Sequence, residues 1–109
     1  MNGNAKIKST MLGYEDHGIM TCYIQLEQEC TGQAFGGYRL DAPKNADSYM
    51  GTFWIERVLK TVGVQKWEDL VGKYIRVDGE EFGEIRGIGH ITDNKWFYPR
   101  REIDERFKK

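Results

Sequence analysis

Gly32-Gln33-Ala34-Phe35-Gly36-Gly37-Tyr38-Arg39-Leu40 is the stretch on which the fold turns. Three glycines inside an aromatic strand pattern weaken the strand, because glycine loses more backbone entropy on folding and offers no side chain to pack. Something must offset that cost: a bulge, a sharp twist, or a second backbone or flat ligand within touching distance of Gly36 and Gly37, where any Cβ would clash. Phe35 and Tyr38 flank the bare patch. Alone, the motif reads as a strained strand in a small sheet; a ligand or subunit surface needs support from elsewhere in the chain.

Upstream, Ile19 to Glu27 is the clearest strand, with Met20, Cys22, Ile24 and Leu26 on one face and Thr21, Gln25 and Glu27 on the other. The polar turn Glu15-Asp16-His17-Gly18 joins it to an earlier strand, Lys6 to Tyr14, and residues 1–5 carry no periodic signal and read as a loose terminus. A turn at Gln28 to Thr31 delivers the glycine-rich third strand, giving an antiparallel meander.

Downstream, Asp41 to Tyr49 holds Pro43, Asn45, Asp47 and Ser48 and reads as a connector. The period then changes: Ile55, Val58, Leu59 and Val62 recur at helical spacing between Gly51 and Val62, and Gly63 follows as a helix stop. Arg57 lies one turn from Phe53 and Trp54, where a guanidinium can emerge beside aromatic rings. Lys66 to Val71 resembles a short second helix, with Trp67 and Leu70 facing inward. Tyr74 to Val77 and Glu84 to Ile91 form a second hairpin around Asp78-Gly79. Gly87 and Gly89 leave one face of its second strand bare, a surface suited to a helix, a neighbouring subunit or a planar ligand. Trp96-Phe97-Tyr98 is stopped by Pro99, and Arg100 to Lys109 reads as a short C-terminal helix with Ile103 and Phe107 on one face. The expected fold is a single α+β domain over 1–109: an antiparallel sheet, built from an N-terminal β-meander and a C-terminal β-hairpin, with one main helix and two short ones.

With 109 residues the chain is near the size at which small domains lean on a partner subunit, so a homo-oligomer is expected. Its interface is assigned to the glycine-bared faces, Gly36, Gly37 and Tyr38 or Gly87 and Gly89. A formal net charge of −1 supplies no global field for long nucleic acid, and any anion site must be a local cluster. One such cluster exists, since Lys95 to Lys109 contains six basic and three acidic residues. It follows directly on the aromatic triplet, and Trp96 with these arginines offers a nucleotide a stacking face and guanidinium forks for phosphate. Cys22 and Cys30 form no Cys-x-x-Cys pair and His17 and His90 are far apart, so neither metal nor cofactor is expected. No apolar stretch resembles a signal peptide or membrane span, and a reducing cytoplasm is the default. The chain carries no P-loop, Gly-x-Ser-x-Gly or His-Glu-x-x-His, and His17 beside Glu15 and Asp16 reads as turn chemistry, so no enzyme is expected.

Several segments together resemble a family. These are Leu12-Gly13 with Glu15-Asp16-His17-Gly18-Ile19, Gly32-Gln33 with Phe35-Gly36-Gly37-Tyr38, Trp67-Glu68-Asp69-Leu70 with Gly72-Lys73, and Lys95-Trp96-Phe97. From Lys6 to Glu102 the pattern is similar to small proteins of bacteriophages and prophages, and specifically to the first family of Thoeris anti-defence proteins. The resemblance implies a non-enzymatic sponge in the cytoplasm of the infected bacterial host. Such a sponge captures the cyclic ADP-ribose signal of TIR-domain enzymes, in some members also cyclic oligonucleotides, and builds from homodimers to hexamers. On this chain it implies Arg57, Phe82, Asn94, Arg100 and Arg101 as the signal-holding residues. Two other classes stay open: a protein that blocks a host nuclease or CRISPR complex through Glu27, Glu29, Glu80, Glu81 and Glu84, and a small nucleic-acid-binding module using the basic C-terminal helix.

Overall fold

The computed structural model describes residues 2–28, 31–39, 49–79 and 84–107. Cys30, the connector at 41–48, the turn bearing Phe82 and the last two residues lie outside them. The elements are β1 (Asn2–Tyr14), β2 (Met20–Gln28), β3 (Thr31–Arg39), α1 (Tyr49–Val62), a 3-10 turn at Trp67–Asp69, β4 (Tyr74–Gly79), β5 (Ile85–His90), β6 (Trp96–Phe97) and α2 (Pro99–Phe107). All six strands join one antiparallel sheet in the order β3-β2-β1-β4-β5-β6. The meander and the hairpin are thus halves of a single sheet, fused along β1 and β4.

That fusion corrects the reading of residues 1–5 as a loose terminus. Asn2 to Lys6 pairs with Asp78 to Tyr74, and Ala5 is buried. β1 is long enough to serve both neighbours, β4 through its first half and β2 through its second. Polar Asn2 and Asn4 hid it, because this segment is held by its ladder to β4 and buries Ala5 on its core face. The short second helix is a single 3-10 turn, its leucine, Leu70, fully buried and its Trp67 half-buried.

The core fills one face. Cys22, Ile24 and Leu26 alternate inward from β2, Ile75 and Val77 from β4, and Ile88 from β5. α1 supplies Trp54, Val58 and Val62 on its buried stripe and ends at Gly63, whose positive φ of 92° turns the chain so that the Val64 N–H reaches the Leu59 carbonyl at 3.1 Å. The sheet is curled enough that its two ends meet: Phe35 of β3 and Phe97 of β6 stand edge to face with centroids 6.2 Å apart. Trp54 stacks on Phe35 at 5.8 Å and meets Phe97 at 6.4 Å.

The glycine-rich strand shows how its weakness is used. Register runs from Cys22↔Tyr38 to Tyr23↔Gly36, skipping Gly37, so the strand carries a bulge there. Gly36 has φ +110°, and a Cβ on it would fall 2.7 Å from the Trp54 ring and 2.8 Å from the Cys22 carbonyl. The close approach is made by an indole of the same chain. Among the described residues no helix is long and apolar enough to cross a membrane.

Two consequences are measurable. Gly36→Ala meets both a forbidden backbone region and the Trp54 ring, so it should cost more than about 2 kcal/mol in urea unfolding. Gly32→Ala, with only the Leu26 carbonyl at 3.6 Å, should cost far less. Burial pushes the Cys22 thiol from 9.0 to about 12. The folded thiol should therefore resist alkylation at pH 9 until denaturant is added. Its contribution to stability is full below pH 9, where the unfolded thiol also keeps its proton, and is lost as pH rises toward 12.

Candidate functional site: the aromatic and arginine ladder at β6

Strand alternation sorts the aromatic triplet. Phe97 turns into the core and is fully buried, while Trp96 and Tyr98 turn to the opposite, outer face of the sheet and remain half-buried. They cover the alternate glycines of β5. A Cβ on Gly89 would lie 2.6 to 2.8 Å from Cδ2, Cε3 and Cε2 of Trp96, and one on Gly87 2.6 Å from the Tyr98 ring. The two rings run nearly parallel, 24° apart with centroids at 6.0 Å. Glycine at 87 and 89 thus makes room for aromatics of the same chain.

Guanidiniums flank both rings. Arg76 of β4 sits 4.7 Å from the Trp96 ring centre, donating from Nε to the His90 carbonyl at 2.7 Å and from Nη2 to the Asp93 carbonyl at 2.6 Å. Arg101 of α2 sits 4.8 Å from the Tyr98 ring centre. The Tyr98 hydroxyl donates to Asp78 Oδ2 at 2.7 Å, and Arg86 Nη2 approaches Asp78 Oδ1 at 3.5 Å. Burial pushes the Tyr98 hydroxyl above its ordinary pKa, and the bond to Asp78 and that carboxylate's charge push the same way, since each disfavours a phenolate.

On the core side of β6 another arginine is fixed differently. Arg57 of α1 lies 5.3 Å from the Phe97 ring centre, donates from Nε to Glu102 Oε1 at 2.9 Å and from Nη2 to the Trp96 carbonyl at 2.9 Å. Glu102 uses its other oxygen on the Tyr98 N–H at 2.8 Å, capping the start of α2. One carboxylate therefore ties α1, β6 and α2 together.

Of the residues singled out from sequence, Arg57, Trp96 and Arg101 gather at β6, with Arg57 against its inward ring and Arg101 against an outward one. Asn94 and Arg100 are exposed beside this cluster, in the turn before β6 and the first turn of α2. Phe82 lies outside the described residues, and of Gly37 and Tyr38 only the backbone register is described. Gly87 and Gly89, read from sequence as a bared face, are buried under Tyr98 and Trp96 of the same chain, and a Cβ on Gly36 would meet Trp54. Trp96 likewise spends a ring face on Gly89. Sequence reading passed over Arg76, Asp78, Arg86 and Glu102. Arg76 and Asp78 alternate with core residues Ile75 and Val77, which places them on the outer face with the glycines, a signal that period-two reading of β4 contains.

No family model, curated protein or solved structure matches the chain.

The clamp makes a clear stability claim. Glu102→Ala removes a half-buried partner of Arg57 and the cap on Tyr98 N–H together, and should cost about 2–4 kcal/mol in urea unfolding, with loss of helical circular dichroism.

Proposed function

We propose that the chain is a non-enzymatic binder that captures a cyclic nucleotide signal, a cyclic ADP-ribose isomer or a cyclic oligonucleotide, and withholds it from its effector. On this reading it is a phage anti-defence sponge acting in the cytoplasm of the host, as its resemblance to the Thoeris anti-defence family implies. What carries the reading is the concentration of arginines and aromatics around β6, in a chain whose net charge is only −1. An ADP-ribose-type ligand brings two phosphates and an adenine, and such a site needs guanidiniums held in place and no catalytic group.

Pre-organisation supports capture over turnover. Arg57 is already pinned by two hydrogen bonds and an aromatic ring, so little side-chain entropy remains to be lost on binding. Slow release is what a sponge requires, and rigid polar groups lower the off-rate more than they raise the on-rate. Arg57 and Arg101 attend rings on opposite sides of β6, so a single ligand that engages both arginine types is best served by two chains. Homodimers, building to a hexamer, are the assembly this reading calls for.

Calorimetric titration with cyclic ADP-ribose isomers and with cyclic di- and trinucleotides tests it. The parent chain should give saturable heat with at least one ligand. Arg101→Ala, whose side chain is exposed, should weaken capture by about tenfold to a hundredfold with unchanged melting. Absence of heat with every ligand, together with no small molecule released on denaturing the purified protein, would defeat the sponge.

A further inference from the structure

Four charged or polar groups meet where the β4–β5 hairpin passes beneath the start of α2. Asp78 pairs with Gly87, Tyr98 lies over that glycine and bonds Asp78 through its hydroxyl, and Arg86 and Arg101 stand by. The charges do not balance. Asp78 spends its one short bond on a neutral hydroxyl, and its approach to Arg86 is at 3.5 Å with the arginine side chain 58% exposed. Arg76, two residues along β4 on the same face, is occupied by neutral carbonyls of His90 and Asp93. Arg101 is exposed, with its guanidinium over the Tyr98 ring. Of these three guanidiniums only that of Arg86 approaches the Asp78 carboxylate.

We propose that Arg86 and Arg101, astride Tyr98 on the outer face of the sheet, form an anion clamp that takes a phosphate of a nucleotide ligand. This deepens the reading of the chain as a nucleotide binder, and rests on it. Guanidinium forks match phosphate oxygens, and two of them flanking one tyrosine suit a group that offers several acceptors at once. Both cations attend the same tyrosine: Arg101 lies over its ring at 4.8 Å, and Arg86 approaches at 3.5 Å the carboxylate that its hydroxyl bonds. The clamp reads phosphate and leaves the base alone, because the Tyr98 ring is covered by Gly87 on one side and carries Arg101 on another. Asp78 has two parts: it orients Tyr98, and it competes with the incoming anion for Arg86. The clamp stands apart from Arg57, which is bound on the core side of β6.

Pyrophosphate is the probe, titrated into isotope-labelled parent chain while the side-chain Nε–H resonances of Arg86 and Arg101 are followed. Both should move with one common dissociation constant. Arg86→Gln and Arg101→Gln should each weaken pyrophosphate by about tenfold without changing the melting temperature, since both side chains are exposed. Asp78→Asn keeps an acceptor for the Tyr98 hydroxyl but removes the competing charge, and should tighten pyrophosphate severalfold; a purely structural Asp78 would not do so. Resonances that stay fixed, or affinity unchanged in both glutamine variants, would overturn the clamp. So would weaker binding by an Asp78→Asn chain that melts as the parent does. Cyclic nucleotide titrations run alongside separate the two claims. Nucleotide heat with pyrophosphate inert removes the clamp alone, and responsive arginines without nucleotide heat remove the nucleotide reading while leaving an anion clamp.

Discussion

Phe35, Trp54 and Phe97 come from the first strand of the sheet order, the main helix and the last strand, and their rings meet at 5.8 to 6.4 Å. A flat six-stranded sheet would hold Phe35 and Phe97 far apart, since neighbouring strands are spaced by about 4.8 Å. Their contact therefore demands the curl. Burying large rings returns free energy in proportion to the area withdrawn from water, and aromatic pairs gain somewhat more from edge-to-face geometry. Much of the local sequence follows from the position of the Trp54 indole: Gly36 must be glycine because the indole leaves no room for a Cβ, the bulge at Gly37 lets β3 bend to it, and Trp67 closes on it at 6.4 Å.

The same triad sets the candidate site. With Phe97 committed to the core, strand periodicity leaves Trp96 and Tyr98 no choice but the outer face. Their rings would collide with ordinary side chains on β5, and glycine at 87 and 89 removes the collision. Arginines then arrive from three elements: Arg76 from β4 and Arg101 from α2 on the outer face, Arg57 from α1 on the inner. Packing rigidity is passed on to charge. The guanidiniums that bond carbonyls and Glu102 are held in fixed positions, and the exposed ones beside them remain able to meet an anion. The nucleotide capture proposed above would draw on that division, because held charges reduce the ordering cost of binding and exposed ones supply contacts.

The strand and helix pattern was legible in the sequence. Alternation in Met20 to Leu26, helical spacing from Ile55 to Val62, and the glycine at 63 mark element type directly, because burial on one face imposes period two or 3.6 on the apolar residues. The α+β meander-plus-hairpin architecture follows from short turns between those strands. The gathering of an aromatic triplet and a basic tail was legible too, being contiguous in the chain.

Tertiary structure alone decided three matters. It joined β1 to β4, a pairing between residues 68 to 76 positions apart that no local period records, and so turned residues read as a loose terminus into strand. It decided what the glycines face: a missing side chain marks a close approach without naming the visitor, and here the visitors are Trp54, Trp96 and Tyr98 of the same chain. And it separated the arginines by role. Arg57 and Arg101 are alike as sequence letters, but one stands beside a core ring with Glu102 within 2.9 Å while the other lies exposed over Tyr98. The chain determines by itself which residues are charged, bare or aromatic. Which of those charges are already spent depends on distances that exist only once the sheet has curled.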